Sequence, residues 1–247
     1  MEENLHSKIN SQLLFFEGRK MYQQNNEDKM YQQMLMTNMG TEALDWAKQK
    51  GIEAQTLMTY YKCAIREVET KLRVLDEEFS LYNDRNPINS IKSRLKSIPS
   101  IVEKCQRKGI EFSIPTIEKE LNDIAGIRVV CSFTEDVYKL ADALLRQDDI
   151  TLIKKKDYIE HPKDNGYRSL HLIIEIPIFL ETEKRKMKVE VQLRTIAMDC
   201  WASLEHQLRY KKGIDFTSER QQELQKCAEL SMELDQRMDS LRDGAKI

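Results

Sequence analysis

The 247 residues contain no Cys-x-x-Cys pair and no His-Glu-x-x-His run. The five cysteines, at 63, 105, 131, 200 and 227, form no close Cys/His grouping. An odd, scattered set of this kind reads as reduced thiols, not as disulfides or zinc ligands, and it places the protein in the cytoplasm. Glu205-His206 lacks the second histidine that a zinc protease needs. Neither a GxxxxGK[ST] loop nor a GxGxxG loop occurs, which removes the P-loop and Rossmann readings. Apolar runs stay well short of the ~20 residues of a membrane span, and the N-terminus has no signal-peptide core. Charge of one sign is also missing: 39 basic against 41 acidic residues leave a net charge of −2, so any basic patch must be local. No internal repeat is visible.

What remains is an ordinary core-forming composition, 40% hydrophobic and 32% charged. Residues 1–50 stand apart as a Gln/Met-rich N-terminal extension, exemplified by Tyr22-Gln23-Gln24-Asn25-Asn26 and expected to be loosely helical or poorly ordered. Residues 51–247 form the main domain. Leu57, Tyr61, Ala64, Val68, Leu72, Leu75, Phe79 and Tyr82 recur at three- and four-residue spacing and predict a helix from Glu53, which Asn83 to Pro87 stops. Ile88 to Lys96 reads as extended, followed by a short helix capped by Ser97 or Ser100 and ending at Gly109. Another short helix is expected over Pro115 to Asn122. Beyond it come a strand at 124–133, a helix at 135–147 and a strand near 150–158. A strand at 169–176 then turns through Pro177 to Lys184 into a strand at 187–194, with antiparallel pairing. Helices at 195–212 and 218–242 close the pattern, an α+β domain with a mixed β-sheet flanked by helices.

Chemistry-bearing residues concentrate in 123–211. Alternation on the 187–194 strand puts Lys188, Glu190, Gln192 and Arg194 on one face, opposite Val189, Val191 and Leu193. Asp123 stands where a helix hands over to a strand. Two carboxylates on adjoining strands would suffice for a magnesium ion, which commonly takes one or two carboxylates plus substrate phosphates. Ser100, Lys104 and Arg107 fall at i, i+4 and i+7 of one helix face, a hydroxyl and two cations able to follow a polyphosphate. Lys154 to Lys156 and the Lys163/Arg168 loop are candidates for the same cleft. After Gly166, alternation places Tyr167, Ser169 and His171 together, and Tyr167 could stack on a base.

Taken in order, Ser93-Arg94-Leu95-Lys96, Asp123 to Arg128, Lys156-Asp157-Tyr158, Gly166 to His171, Val189 to Thr195, Trp201, Glu205-His206 and Tyr210-Lys211 resemble the synthetase domain of the RelA/SpoT family, specifically its small alarmone synthetases. The resemblance covers about residues 55–242. It implies a nucleotidyltransferase-like fold that moves the β,γ-pyrophosphate of ATP to the 3′-hydroxyl of GDP or GTP. It further implies Arg94 and Arg128 around the adenine, and Lys96, Ser100, Lys104 and Arg107 on the ATP phosphates. Asp123 and Glu190 would bind Mg2+, with Glu190 also activating the hydroxyl. Tyr167 would stack on guanine, and Lys156, Lys163, His171, Gln192 and Asp199 would line the acceptor side. Asp199 occupies a position where some members carry Asn, and could accept from both N1–H and the amino group of guanine.

The chain has no His-Asp dipeptide, the hallmark of the hydrolase domain in larger members, and ribosome-reading domains are not expected, since about 35 residues follow the core. Synthesis without hydrolysis, in stringent-response signalling, is the expectation. A homotetramer built on the helices at 53–82 and 218–242 is expected as well. Two other readings stand beside this one: a nucleotidyltransferase with another acceptor, and a catalytically dead module holding single-stranded RNA. The intact Asp123 and Glu190 argue against a dead enzyme, and the net negative charge argues against strong nonspecific RNA binding, with single-stranded RNA left as the open alternative.

Overall fold

The structure, a computed structural model, describes residues 41–83, 85–210 and 217–245. Residues 1–40 of the Gln/Met-rich segment and Lys211 lie outside the described residues. In chain order the elements are α1 (Thr41–Asn83), β1 (Ile88–Leu95), α2 (Ile98–Lys108), α3 (Ile114–Glu120), β2 (Ala125–Cys131), α4 (Thr134–Leu145), β3 (Thr151–Asp157), β4 (Leu170–Phe179), β5 (Lys184–Thr195), α5 (Ile196–Tyr210) and α6 (Ser218–Ala245). The described chain divides into two compact units. One comprises Leu95–Ile124 with the chain up to Lys62; the other comprises Cys63–Arg94 and the chain from Ala125 onward.

The five strands form one sheet in the order β1-β2-β5-β4-β3. β2 runs parallel to β5, whereas β4 is antiparallel to both β5 and β3, so the sheet is mixed. The apolar run of β4 is buried along nearly its whole length, as expected of a strand with neighbours on both sides. β5 alternates: Met187, Val189, Val191 and Leu193 are buried, while Lys188, Glu190 and Gln192 on the other face are half-buried. Each fully buried Leu, Ile or Val in such a layer contributes about 1.5–3 kcal/mol. β3 is an edge strand whose Lys154, Lys155 and Lys156 are exposed, a charged border that discourages further strand pairing. α4 and α5 lie against β2 and β5, and α5 also packs on α6.

Local stops match the residues that cause them. Ser97 caps α2, accepting the Ser100 N–H at 3.4 Å, and Gly109 ends it in the left-handed region at φ 63°. Asp136 accepts the Phe133 N–H at 3.3 Å at the start of α4 and takes a bidentate pair from Arg85 at 2.7 and 2.8 Å.

Two expectations need correction. α1 begins at Thr41, so residues 41–50 are helical, well ahead of the Glu53 start that side-chain periodicity indicated. Pro177 does not turn the chain. It lies inside β4 opposite Lys186, and the turn comes at Leu180, whose N–H reaches the Glu183 carbonyl at 2.8 Å. Pairing with β3 ends at Thr151–Glu175, so at Pro177 one side of β4 is open and a missing N–H costs nothing there.

Candidate active site

In the unit holding Leu95–Ile124, a carboxylate is set between two lysines. The Lys96 N–H bonds to the Ile124 carbonyl at 2.8 Å, which brings the start of this segment beside its end. Lys96 Nζ then meets Asp123 Oδ2 at 2.7 Å, and Lys104 Nζ, nearly two turns into α2, meets Asp123 Oδ1 at 2.6 Å. Burial would push the Asp123 carboxyl up, but the bonds and charges of Lys104 and Lys96 outweigh it and hold the group below its ordinary value. Ser100 and Arg107, predicted on the same face as Lys104, are exposed, and Ser100 Oγ shares a 2.9 Å hydrogen bond with Ser97 Oγ.

The other unit carries the rest of the predicted residues. Register places His171 opposite Gln192 on β4 and β5, and Gly126 of β2 opposite Glu190. Glu190 Oε1 lies 3.3 Å from His171 Nδ1, and Glu190 Oε2 accepts from Gln192 Nε2 at 3.0 Å. The Tyr167 hydroxyl is 2.8 Å from His171 Nε2. Burial raises the Tyr167 phenol and lowers the His171 imidazole, which leaves both neutral near pH 7. Tyr158 meets His171 edge-on at 5.3 Å, and Lys163 Nζ sits 4.6 Å over the Tyr158 ring and 4.7 Å over that of Tyr167.

The loop bearing Tyr167 is tightly determined. Gly166, at φ 85°, donates to the Lys163 carbonyl at 2.7 Å, and a Cβ there would stand 2.3 Å from the Ala228 Cβ of α6. Tyr167 also packs against a small core of Trp201, Ala202, Leu224 and Ala228, where the Trp201 indole N–H reaches the Leu224 carbonyl at 3.0 Å. Arg168 does not line a cleft as its loop position suggested. It is buried, donating to Asp235 of α6 at 2.9 Å. Burial raises the Asp235 carboxyl in spite of that partner.

Also in this unit, Arg94 is exposed and Arg128 is half-exposed, with Arg128 3.2 Å from Asp199. Asp199 Oδ1 is 3.2 Å from Arg194 as well. Lys156 is exposed on β3 opposite His171, and Lys155 instead turns toward Tyr138 and Asp157. Three residues missing from the sequence-based set emerge here: Arg194, Tyr158 and Asp235. The alternation of β5 already put Arg194 on the Glu190 face, and that signal could have found it. Nothing local to Arg168 points to Asp235.

Comparison with known proteins gives one answer. Residues 93–215 match the region found in RelA / SpoT proteins. The chain is 41% identical over 203 residues to the GTP pyrophosphokinase YwaC of Bacillus subtilis (strain 168), covering 82% of this chain and 93% of that one. The solved small alarmone synthetase 2 of Bacillus subtilis superposes with a TM-score of 0.71 at 41% identity, over 78% of this chain and 99% of the other. Small alarmone synthetase 1 of the same species, solved bound to its product pppGpp, gives a TM-score of 0.72 at 32% identity, over 79% and 99% of the two chains. With its mixed sheet, its β5 carboxylate and its Tyr167–His171 pair in place, the chain belongs to the RelA/SpoT family, among the small alarmone synthetases.

Proposed function

We propose that this chain is a GTP pyrophosphokinase that moves the β,γ-pyrophosphate of ATP to the 3′-hydroxyl of GDP or GTP. The observation that carries the reading is the surround of Glu190: a carboxylate held by His171 and Gln192, beside an aromatic hydroxyl on a rigid loop. In the reaction the acceptor 3′-oxygen attacks the β-phosphorus of ATP, the bond from that phosphorus to the bridging oxygen breaks, AMP leaves, and Glu190 takes the hydroxyl proton. Tyr167 stacks on the guanine, while Lys156, Lys163, His171, Gln192 and Asp199 contact the acceptor. Arg94 and Arg128 hold the adenine, and Lys96, Ser100, Lys104 and Arg107 hold the donor phosphates.

Two carboxylates are a hard oxygen donor set that fits magnesium. Asp123 and Glu190 would hold that ion. When bound, magnesium offsets charge developing on the transferred phosphates. Lys96 and Lys104 keep Asp123 ionised, as an oxygen ligand must be.

The enzyme works in the cytoplasm without hydrolase activity, as a source of stringent-response nucleotide, and assembles as a homotetramer. Support for assembly comes from α6, where Leu230, Leu234, Met238 and Leu241 are exposed at helical spacing. No described helix is long and apolar enough to cross a membrane. Incubation with ATP and GDP or GTP tests the reaction: AMP and a guanosine 3′-pyrophosphate should appear together in equal amounts. Transfer to another acceptor only, or AMP formed without a pyrophosphorylated guanosine, would overturn it.

A further inference from the structure

Gly126 stands inside β2, a strand with neighbours on both sides, where a glycine weakens the strand and has no side chain to pack. Ala125, Ile127 and Val129 are buried on one face, while Gly126 and Arg128, both half-buried, lie on the other. Three things can require a glycine at such a place: a left-handed backbone, close approach by the protein's own atoms, or close approach by a ligand. The first does not apply, because the left-handed glycines among the described residues are Gly109 and Gly166. Nor does the second. A Cβ at Gly126 would meet the Arg94 carbonyl oxygen at 3.7 Å and Arg94 Nε at 4.0 Å, which are ordinary contacts, and beyond its chain neighbours it would meet no other described atom within 4 Å. At Gly166, by contrast, the Ala228 Cβ stands only 2.3 Å away.

The space left over Gly126 has definite borders. Register sets Glu190 of β5 beside it, and Gln192 beside Arg128. Neighbouring strands lie about 4.8 Å apart, yet no atom of Glu190 comes within 4 Å of the place a Cβ would take. The Glu190 side chain leans away instead: Oε1 is 3.3 Å from His171 on β4, and Oε2 accepts from Gln192 of its own strand at 3.0 Å. On the other flank is Arg94 of β1, exposed, and two residues along the same face of β2 is Arg128, held by Asp199 at 3.2 Å. With Arg94 and Arg128 on the adenine and Glu190 on the acceptor hydroxyl, whatever crosses Gly126 is the part of ATP between its base and the reacting phosphorus. Distance decides which part. A carboxylate hydrogen-bonded to the attacking oxygen, and that oxygen at near-attack distance, put the phosphorus within about 6 Å of the carboxylate, close to one strand spacing.

We propose that Gly126 is the floor of the donor phosphate path: the β-phosphoryl group of ATP rests over its Cα, between Arg94 and Glu190, in room that any side chain would fill. The missing side chain sets how near the donor comes to Glu190. The assignment rests on the reading of Glu190 as the base and of Arg94 and Arg128 as the adenine contacts.

Calorimetry on the full-length protein in magnesium buffer tests it with two ligands. α,β-Methylene ATP carries the phosphates and cannot react, whereas AMP stops short of the β-phosphate. Gly126→Val should weaken binding of α,β-methylene ATP about 10- to 100-fold and change that of AMP and of GDP by no more than about twofold. Gly126→Ala, whose Cβ has room beside Arg94, should weaken α,β-methylene ATP about three- to tenfold at an unchanged or raised melting temperature, and it carries the test should Gly126→Val fold poorly. Wild-type affinity for α,β-methylene ATP in Gly126→Ala, an equal loss of AMP binding, or a melting temperature lowered by Gly126→Ala would overturn the proposal, the last by marking a packing role. If wild type transfers no pyrophosphate while the two ligands still separate in the variants, the reaction assignment falls and the phosphate floor stands.

Discussion

Asp123 and Glu190 are carboxylates of matched expected purpose, yet they are held in opposite ways. Both oxygens of Asp123 meet ammonium groups, those of Lys96 and Lys104. Both oxygens of Glu190 meet neutral donors, His171 and Gln192, with the nearest guanidinium one hydrogen bond further back. A cation in direct contact strongly favours the ionised form; a neutral donor aims a carboxylate while favouring that form less. The first arrangement suits an anchor for metal and phosphate, the second suits a proton acceptor. Location in the chain does not make this division. The partners do.

The sharpest way to break the comparison is Glu190→Gln, which keeps the shape and removes the proton acceptor. Pyrophosphate transfer should fall by about 10³-fold or more, while both nucleotides still bind by calorimetry within a few-fold of wild type. A variant turning over at near-normal rate would remove Glu190 from the chemistry. Asp123→Asn should cost transfer about 10²-fold and, unlike the first variant, change acid stability. The folded-state carboxyl is depressed, so its stabilising contribution is complete at neutral pH and is lost as pH falls below about 3.9 and through the folded value. Wild type should therefore lose stability in that window, and Asp123→Asn, already less stable by about 1–3 kcal/mol at pH 7, should show a flatter acid limb in denaturant titrations.

A third carboxylate extends the contrast. Asp235 pairs with Arg168 at side-chain exposures of 8% and 9%, shut away from solvent behind the Tyr167 loop. Arg168→Met leaves that charge buried alone and should cost about 3 kcal/mol in chemical denaturation; adding Asp235→Leu should restore most of it. The same single variant should raise KM for the acceptor more than KM for ATP, because Arg168 adjoins Tyr167. Smallest of the set is Gly166→Ala. The new Cβ meets Ala228 and the positive φ is strained, together costing about 2 kcal/mol. Ala228→Gly in the same chain should return the steric part and leave the backbone part.

Much of this arrangement is visible in the residues themselves. The period-two pattern of β5 shows which side chains share the Glu190 face, and Ser97, Gly109 and the Asn83–Pro87 stretch mark helix ends by their own backbone preferences. What escaped depends on partners far away in sequence. Arg168 looked like a loop cation because Asp235 lies 67 residues later, and no local pattern records that pairing. Pro177 reads as a turn by its chemistry and is tolerated in β4 only because β3 stops at Thr151–Glu175. The early start of α1 escaped because apolar periodicity, not helix propensity, was the guide.

The order β1-β2-β5-β4-β3 also bears on how the chain assembles. β3, β4 and β5 zip together as sequence neighbours, at modest loop-closure cost. The β2–β5 pairing instead spans all of α4, β3 and β4, and such long-range contacts form slowly. A growing polypeptide cannot complete the seat of Tyr167 until α6 has emerged, because Ala228 and Asp235 close it. The seat of Tyr167 is thus built by two stretches of chain about sixty residues apart, and neither makes it alone.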